Sequence, residues 1–499
     1  MSRSRRSTVV RVPLMAGNDE QKPSEDPTDD LATSQHSITV GGRALEYTAT
    51  TGRIVLRQEK HTDGAFDGNV AKAEVFLTAY TLDGADPARR PVTFAFNGGP
   101  GSASVWLHLG LLGPRRVVSG DVGAMTPPPY ELVDNAETLL AESDLVFIDP
   151  VSTGFSRAVK GGKPEEFHGF AADIEYISEV IRLWTSRNDR WMSPKFIAGE
   201  SYGTTRGVAI AERLQSKYGM YFNGLMLIST ALDFNALDFS EGNELPYALF
   251  LPTYAAIAHY HGLHGSRPLS EVVAEAVEFA NRDYLWALVQ GSRLSAADRQ
   301  SIVDRTAALT GLSADYVDAV NFRIEHIRFF TELLRSRRLT VGRIDGRFTG
   351  WEADYGREHF SHDPSISAIT GPYASALNHY LRGELGYAND LPYEVLSSRV
   401  QPWSYKDFEN AHVTTADKLS SAMRANPHLR VHIAAGYHDG ATPFAGSDHV
   451  VAHLAIPAEL RANIDLAYYE AGHMMYIHEP SRLQQSADLA RFIRTSSNR

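Results

Sequence analysis

Hydrophobic and polar residues alternate with a period of two over residues 36–82, and glycines interrupt the alternation. Such alternation turns one face of a strand toward a core and the other toward water, so it predicts antiparallel strands. Beyond residue 82, short apolar runs alternate with longer stretches of helical period. Each run is bounded by Gly, Pro or Asp, as buried parallel strands tend to be. The predicted strands are residues 92–96, 145–149, 195–198, 225–229, 431–435 and 465–469.

Helical spacing follows the second of these strands. The apolar residues that share one helix face are Phe170, Ile174, Ile177, Ile181 and Trp184. A strand, a helix and a further strand form a βαβ unit, whose strands run parallel. The pattern therefore predicts an α/β fold with a doubly wound, mostly parallel sheet and helices on both faces.

The alternation of strands and helices stops in the middle of the chain. Helical period without a clear parallel strand covers residues 269–288, 296–309 and 314–338. We therefore expect a mainly helical insertion, or cap, within the α/β core. The N-terminal residues are polar and charged, which predicts a disordered tail. The predicted division is a tail at residues 1–35, a first core part at 36–229, a helical cap at 230–419 and a second core part at 420–499.

Composition and charge narrow the classes of partner. The 499 residues carry a formal net charge of −12, which argues against nucleic acid or an anionic membrane as a partner. No apolar run approaches the roughly 18 residues that span a bilayer. The chain has no cysteine, which excludes disulfides, a cysteine nucleophile and thiolate metal ligands. It also contains no Asn-x-Ser/Thr acceptor for N-glycosylation.

These features favour a cytoplasmic location, because a reducing compartment does not support disulfides. Residues 4–7, Ser-Arg-Arg-Ser, resemble a twin-arginine export signal. The apolar stretch behind them is short and interrupted by Arg11. Export by this N-terminus stays open as the alternative.

A serine stands at the end of the predicted strand 195–198, within Gly199-Glu200-Ser201-Tyr202-Gly203. Glycines on both sides allow a sharp turn from strand to helix, which exposes the hydroxyl above the sheet. The N–H groups at the start of the following helix would stabilise negative charge beside it. Ser201 is therefore a candidate nucleophile. An ordinary Gly-Ser turn is the alternative for this motif alone.

A nucleophilic serine needs a base and an acid that holds the base in the correct tautomer. In an α/β-hydrolase these follow the serine in the order acid, then histidine, on loops at the carboxyl ends of strands. Asp439 follows the predicted strand 431–435, and His473 follows the predicted strand 465–469. The order and the positions predict a Ser201–His473–Asp439 triad. Each residue taken singly could instead be a helix cap or a surface group.

A second glycine-rich turn, Asn97-Gly98-Gly99-Pro100-Gly101-Ser102, follows the predicted strand 92–96. Two successive glycines after a strand can expose backbone N–H groups that bind an anion. Acyl transfer needs one such donor from this loop and a second from the residue after the nucleophile, here Tyr202. The turn is therefore a candidate oxyanion hole, with a tight structural turn as the alternative.

Taken together, these segments resemble the serine carboxypeptidase family. The matching motifs are Asn97–Ser102, Phe147-Ile148-Asp149-Pro150, Gly154-Phe155-Ser156, Ala198–Gly203 and Ala471-Gly472-His473-Met474. The resemblance implies a serine-type carboxypeptidase with the triad Ser201, Asp439 and His473. It implies oxyanion donors at the N–H groups of Gly99 and Tyr202. It also implies that Asn97, the N–H of Gly98 and Glu200 bind the terminal carboxylate of a peptide substrate.

One position departs from the family pattern. The family pairs the glutamate before the serine with a second acidic residue just ahead of a Leu-Gly-Pro, where this chain has Leu111. Loss of that acid weakens the expectation of strict carboxypeptidase specificity. The missing cysteines and glycosylation acceptors also separate the chain from secreted members and suggest a prokaryotic-type relative.

The sequence therefore predicts a serine hydrolase that removes C-terminal residues from peptides through an acyl-enzyme. An esterase or acyltransferase on the same triad is the nearest alternative, and a binding protein that keeps the fold without turnover is a third. Three histidines, His259, His261 and His264, could offer imidazoles to a metal, but no carboxylate lies at a recognisable spacing. No phosphate-binding glycine loop occurs. We expect neither a metal nor a cofactor, and the oligomeric state stays open.

Overall fold

A computed structural model describes residues 26–120 and 122–497. Residues 4–7 and most of the predicted tail lie outside the described residues. The first strand begins at Asp30, inside the range 1–35 predicted as tail. It pairs antiparallel with the second strand from Asp30 opposite Arg53 to Val40 opposite Arg43. Most of its side chains are at least partly exposed, so an edge strand here has the polar composition of a tail.

The strands are numbered in chain order. Their bounds are β1 Asp30–Val40, β2 Arg43–Thr62, β3 Ala65–Leu82, β4 Val92–Phe96, β5 Arg115–Val117, β6 Leu132–Asp134, β7 Asp144–Ile148, β8 Arg157–Ala158, β9 Lys195–Ser201, β10 Gly224–Thr230, β11 Thr340–Val341, β12 Thr349–Gly350, β13 Arg430–Gly436 and β14 Ile464–Tyr469.

The α-helices are numbered in the same way. Their bounds are α1 Val105–Leu107, α2 Phe170–Arg187, α3 Tyr202–Tyr218, α4 Leu245–Tyr260, α5 Leu269–Phe279, α6 Leu285–Gln290, α7 Ala296–Thr310, α8 Ala314–Ala319, α9 His326–Glu332, α10 Pro364–Gly383, α11 Ala416–Ala425, α12 Phe444–His453, α13 Ala458–Arg461 and α14 Glu479–Ser497.

One large sheet organises the molecule, in the order β1-β2-β3-β7-β4-β9-β10-β13-β14, with β8 paired to β3. The strands from β7 to β14 in this order are parallel, and β1, β2 and β3 are antiparallel to their neighbours. This confirms the predicted α/β-hydrolase fold class. Because the carboxyl ends of parallel strands meet at one edge, the loops after β4, β9, β13 and β14 lie together.

Both faces of the sheet are covered, because alternate residues of each central strand point to opposite sides. Phe94 and Ile197 pack with the apolar face of α2, whereas Ala95 and Ala198 pack in a second core that includes residues of α10 and α14. The helix-spaced residues of α2 named from the sequence are all buried. Those residues fix α2 against the sheet.

Helices α4 to α9, between β10 and β13, share a separate apolar core. The predicted helix over 269–288 is divided into α5, a π-helical turn at Ala280–Tyr284 and α6. The predicted cap boundary at 419 falls inside α11, which packs against α3 in the core beneath the sheet. The limits of the cap and of the second core part stay a prediction. None of the described helices is both long enough and apolar enough to span a membrane.

Candidate active site

Ser201 stands where β9 turns into α3, with φ of 60° and ψ of −130°. This left-handed conformation is costly for a residue with a side chain, and it marks a turn that the surrounding structure holds in place. A Cβ at Gly199 would lie 2.2 Å from Gly203 O, and one at Gly203 would lie 2.8 Å from Phe96 O. Only glycine fits at either position. The serine itself is partly exposed at the carboxyl edge of the sheet.

Asp439 and His473 form a buried hydrogen-bonded pair, with 2.8 Å between His473 Nδ1 and Asp439 Oδ2. The other carboxylate oxygen accepts hydrogen bonds from the N–H groups of Ala441 and Thr442. The Thr442 hydroxyl donates to Asp439 Oδ2 at 2.6 Å. These bonds fix the carboxylate so that it holds His473 with Nδ1 protonated and Nε2 free to accept a proton. The role of Thr442 was missed in the sequence, because a threonine after an aspartate has no distinctive signal.

The electrostatics of His473 favour its charged form. Burial lowers the pKa of His473, but the charge and hydrogen bond of Asp439, together with the charge of Glu200, outweigh burial and raise it. A base whose protonated form is stabilised in this way suits removal of a proton from a hydroxyl. Among the described residues, no hydrogen bond joins the Ser201 hydroxyl to His473. The structure thus pairs His473 with Asp439, two of the predicted triad members. The third, Ser201, follows Glu200, whose charge acts on His473.

The glycine-rich loop Asn97–Gly101 packs directly on the start of α3. A Cβ at Gly98 would lie 2.4 Å from the backbone N of Tyr202, and Gly99 has a φ of 100°. Only glycine allows this approach. The backbone of Gly98 therefore lies beside the N–H of Tyr202, which brings the glycine-rich loop next to one of the two predicted oxyanion donors.

A buried ion pair supports that loop from below. Arg206, on α3, lies 2.8 Å from Asp173 on α2 and donates to the carbonyl of Asn97 at 2.6 Å. Its guanidinium also lies over the rings of Phe96 and Tyr202. Sequence reasoning missed this pair, since an Arg and an Asp that lie 33 residues apart on two helices show no spacing rule. The pair ties both helices to the candidate oxyanion loop.

Glu200, next to the candidate nucleophile Ser201, is buried and accepts hydrogen bonds from two side chains. Asn97 Nδ2 donates to Glu200 Oε1 at 2.8 Å, and the hydroxyl of Tyr476 donates to Glu200 Oε2 at 2.7 Å. Burial raises the pKa of Glu200 to about 7, although the charge of His473 and both hydrogen bonds act to lower it. Burial therefore keeps the carboxyl able to hold a proton at a pH well above the usual range for glutamate.

Leu111 is buried in the π-helical turn His108–Leu112 and provides no polar group to Glu200. The carboxyl contacts Asn97 and Tyr476 instead. Tyr476 was not singled out from the sequence, because a tyrosine three residues after a histidine has no distinctive signal. Its role depends on a contact that spans 276 residues.

Residues 344–347, before α10, contact the loops that carry Asp439 and His473. His473 N donates to Ile344 O at 2.7 Å, and Gly346 N donates to His438 O at 3.0 Å. Asp345 and Arg347, in the same segment, form a buried salt bridge of 2.7 Å. The segment therefore holds the histidine and aspartate loops in register.

The side chains of the three histidines near residue 260 are hydrogen-bonded to backbone carbonyls. The Nε2 atoms of His259, His261 and His264 lie 2.7–2.9 Å from the carbonyls of Arg267, Gly346 and Leu309. Within the part of the chain that the structure describes, no group of three His, Asp or Glu side chains could hold a metal ion.

Comparison with known proteins bears on the same region. Residues 59–242 match the family model of the serine carboxypeptidases. Serine carboxypeptidase-like 33 from Arabidopsis thaliana is 31% identical over 134 residues. The segment 59–242 is therefore similar to the serine carboxypeptidases. The sequence match to the Arabidopsis relative spans 26% of this chain and 26% of that protein.

Solved structures show how far the fold extends. Kex1(Δ)p, a prohormone-processing carboxypeptidase from Saccharomyces cerevisiae, aligns with a TM-score of 0.52 at 15% identity, over 90% of this chain and 91% of that one. Proline iminopeptidase from Mycobacterium smegmatis aligns at 14% identity with a TM-score of 0.37, over 89% and 99% of the two chains. The likeness to the yeast carboxypeptidase shows that the shared fold extends beyond residues 59–242, the segment that matches the family model.

Proposed function

We propose that this protein is a serine-type carboxypeptidase that removes C-terminal residues from peptides through an acyl-enzyme. The observation that carries the proposal is the position of Glu200. A buried carboxyl with a pKa of about 7 lies directly before the nucleophile turn and is hydrogen-bonded to Asn97 of the candidate oxyanion loop. This arrangement provides donors for a substrate carboxylate beside a serine hydrolase site.

The proposed chemistry begins with attack of Ser201 Oγ on the carbonyl carbon of the last peptide bond. His473 Nε2 takes the hydroxyl proton, and Asp439 stabilises the imidazolium that forms. The N–H groups of Gly99 and Tyr202 bind the oxyanion. The proton on His473 then passes to the leaving amine, which departs as the C-terminal amino acid. Water attacks the acyl-enzyme by the same route, with His473 as base, and releases the shortened peptide.

Recognition of the substrate carboxylate requires a proton. Two carboxylates a few ångströms apart cannot both be ionised, so Glu200 must be protonated to donate to the substrate. Asn97 and the N–H of Gly98 are the other proposed donors. Hydrolysis of substrates with a free carboxylate should therefore fall as pH rises through about 7, the pKa of Glu200.

An esterase or acyltransferase activity is the second candidate, and Leu111 favours it. This residue leaves the carboxylate site without a second acid. The same nucleophile and base would serve esters.

We also infer a prokaryotic-type member of the family. The inference is supported by the absence of cysteine and of Asn-x-Ser/Thr acceptors.

Three substrates separate the candidate activities: a blocked dipeptide with a free C-terminus, its C-terminal amide and an aryl ester. A carboxypeptidase should hydrolyse the free acid faster than the amide below pH 7 and lose this preference at higher pH. An esterase should hydrolyse only the ester at a useful rate. Ser201→Ala is the control for all three, since it removes the proposed nucleophile and should lower each rate by several decades.

A further inference from the structure

The turn that follows the oxyanion loop has no room for a side chain at Gly110. A Cβ at Gly110 would lie 2.4 Å from two ring atoms of Tyr476 and 2.7 Å from the hydroxyl of Tyr373. The ring of Tyr476 therefore packs against the turn His108–Leu112 at a place that only glycine leaves free. This is the same turn in which Leu111 replaces the acid of the family pattern.

From that position Tyr476 reaches Glu200. Its hydroxyl donates to Glu200 Oε2 at 2.7 Å, and Asn97 donates to the other oxygen at 2.8 Å. Tyr476 and Glu200 are each only 3% exposed, so this hydrogen bond is shielded from water and is directional. The carboxyl group is thereby fixed in one plane between the oxyanion loop and the loop that carries His473.

We propose that Tyr476 is the positioning residue for Glu200, and that its hydroxyl replaces a second acid in setting how this carboxyl meets the substrate carboxylate. The inference rests on the proposed carboxypeptidase function for its consequence, but the contact itself can be tested without a substrate. Tyr476 acts through Glu200 and is not assigned a contact with the reacting atoms.

A tyrosine hydroxyl in place of a second acid has the opposite effect on the pKa of Glu200. A second carboxylate would oppose ionisation of Glu200, whereas a donated hydrogen bond from a phenol favours the ionised form. The other groups that act on this carboxyl are His473, whose charge lowers its pKa, and Asp439, whose charge raises it. Tyr373 also lies within range of its charge. Tyr476 thus lowers the pH above which Glu200 loses its proton.

Removal of the hydroxyl should raise the pH at which Glu200 titrates. A hydrogen bond to a charged group is worth about one pKa unit or slightly more, so Tyr476→Phe should shift this titration upward by about one pH unit. Gly110→Ala should produce a shift in the same direction, because the added methyl group pushes the Tyr476 ring away from Glu200. Tyr476→Phe removes the donor of the Tyr476–Glu200 hydrogen bond, whereas Gly110→Ala displaces the donor.

The direct experiment is an infrared titration of the full-length protein. The carboxyl band of Glu200 is isolated as the difference between wild type and Glu200→Gln, and again between Tyr476→Phe and the double variant. Tyr254→Phe is the matched control, since its buried hydroxyl donates to Ile324 O at 3.2 Å within the helical insertion. We expect an upward shift for Tyr476→Phe and none for Tyr254→Phe. An unchanged Glu200 titration in Tyr476→Phe would overturn the proposal.

Kinetics then separate this proposal from the proposed function. For a blocked dipeptide with a free carboxylate, the alkaline limb of kcat/KM should move upward by about one pH unit in Tyr476→Phe, whereas the limbs for the amide and the ester should keep their positions. The same shift for all three substrates would overturn the proposal, because it would place the effect on His473. If wild type hydrolyses no free-carboxylate substrate while the infrared shift is present, the carboxypeptidase function fails and the Tyr476–Glu200 contact stands.

Discussion

At the scale of residues, both carboxylate oxygens of Asp439 are hydrogen-bonded, and their partners are Ala441, Thr442 and His473. Asp439→Asn should keep the fold but place an amide N–H toward the imidazole, which forces the wrong tautomer. We expect kcat on an aryl ester to fall by about 10⁴-fold. Asp448→Asn is the control, because Asp448 accepts from Tyr468 and not from His473. Near-normal kcat in Asp439→Asn, with loss in the control, would assign the acid to Asp448.

The residues at this scale also show what a sequence can specify. Ser201, Asp439 and His473 could be named because each follows a strand in a chemically required order. Tyr476 and Thr442 could not, because neither a tyrosine nor a threonine has a preferred sequence context for a hydrogen bond to a carboxylate. Their roles arise only when the loops after β9, β13 and β14 come together.

At the scale of elements, the Arg206–Asp173 pair connects α3 to α2 beneath the oxyanion loop. Both side chains are almost completely buried. Arg206→Met should leave Asp173 as an unpaired buried charge and lower the free energy of unfolding by about 3–5 kcal/mol. Replacing both members with apolar residues should recover much of that loss. Chemical denaturation measures both effects, and a cost below about 1 kcal/mol for the single variant would contradict this account.

A surface pair serves as the matched control for that measurement. Arg282 and Glu278 lie one turn apart and are largely exposed. Arg282→Met should change the free energy of unfolding by less than about 0.5 kcal/mol, because water screens the pair.

The predicted elements agree with the structure where burial determines the pattern. The parallel strands lie within a few residues of their predicted positions, because the apolar runs of all of them except the edge strand β14 are buried on both faces. Helix α10 was not predicted, and it contains Pro372 in its interior. The π-helical turns at His108–Leu112 and Ala280–Tyr284 do not change the apolar pattern enough to be recognised. Residues 30–35, the first half of strand β1, were assigned to the tail because most side chains of this strand face water.

At the scale of the whole molecule, the site affects how stability depends on pH. Glu200 has a pKa of about 7 in the folded protein, against an ordinary value of 4.5. Between these values the folded protein keeps a proton that the unfolded chain releases, so the free energy of unfolding should fall as pH rises from about 4.5 to 7, by up to about 3 kcal/mol from this group. The pKa of His473 is also raised, and its contribution is lost in the same direction, as pH rises through its folded value.

Glu200→Gln tests whether Glu200 causes the fall in the free energy of unfolding as pH rises. The variant should flatten the decline in the free energy of unfolding between pH 5 and 7, as followed by chemical denaturation at a series of pH values. Glu459→Gln, on the exposed surface of α13, should leave the decline unchanged. An equally steep decline in Glu200→Gln and wild type would show that Glu200 titrates alike in both states.

The most direct test of the central claim is product analysis on a peptide of known sequence. The peptide and its C-terminally amidated form are incubated below pH 7 with wild type and with Ser201→Ala, and the products are followed by mass spectrometry. Wild type should shorten the free-acid peptide one residue at a time from its C-terminus. The amidated form should react at least about tenfold more slowly, because it cannot engage Glu200 as a carboxylate. Ser201→Ala should cleave neither peptide. Internal cleavage, N-terminal shortening or equal rates for the two peptides would contradict a serine carboxypeptidase.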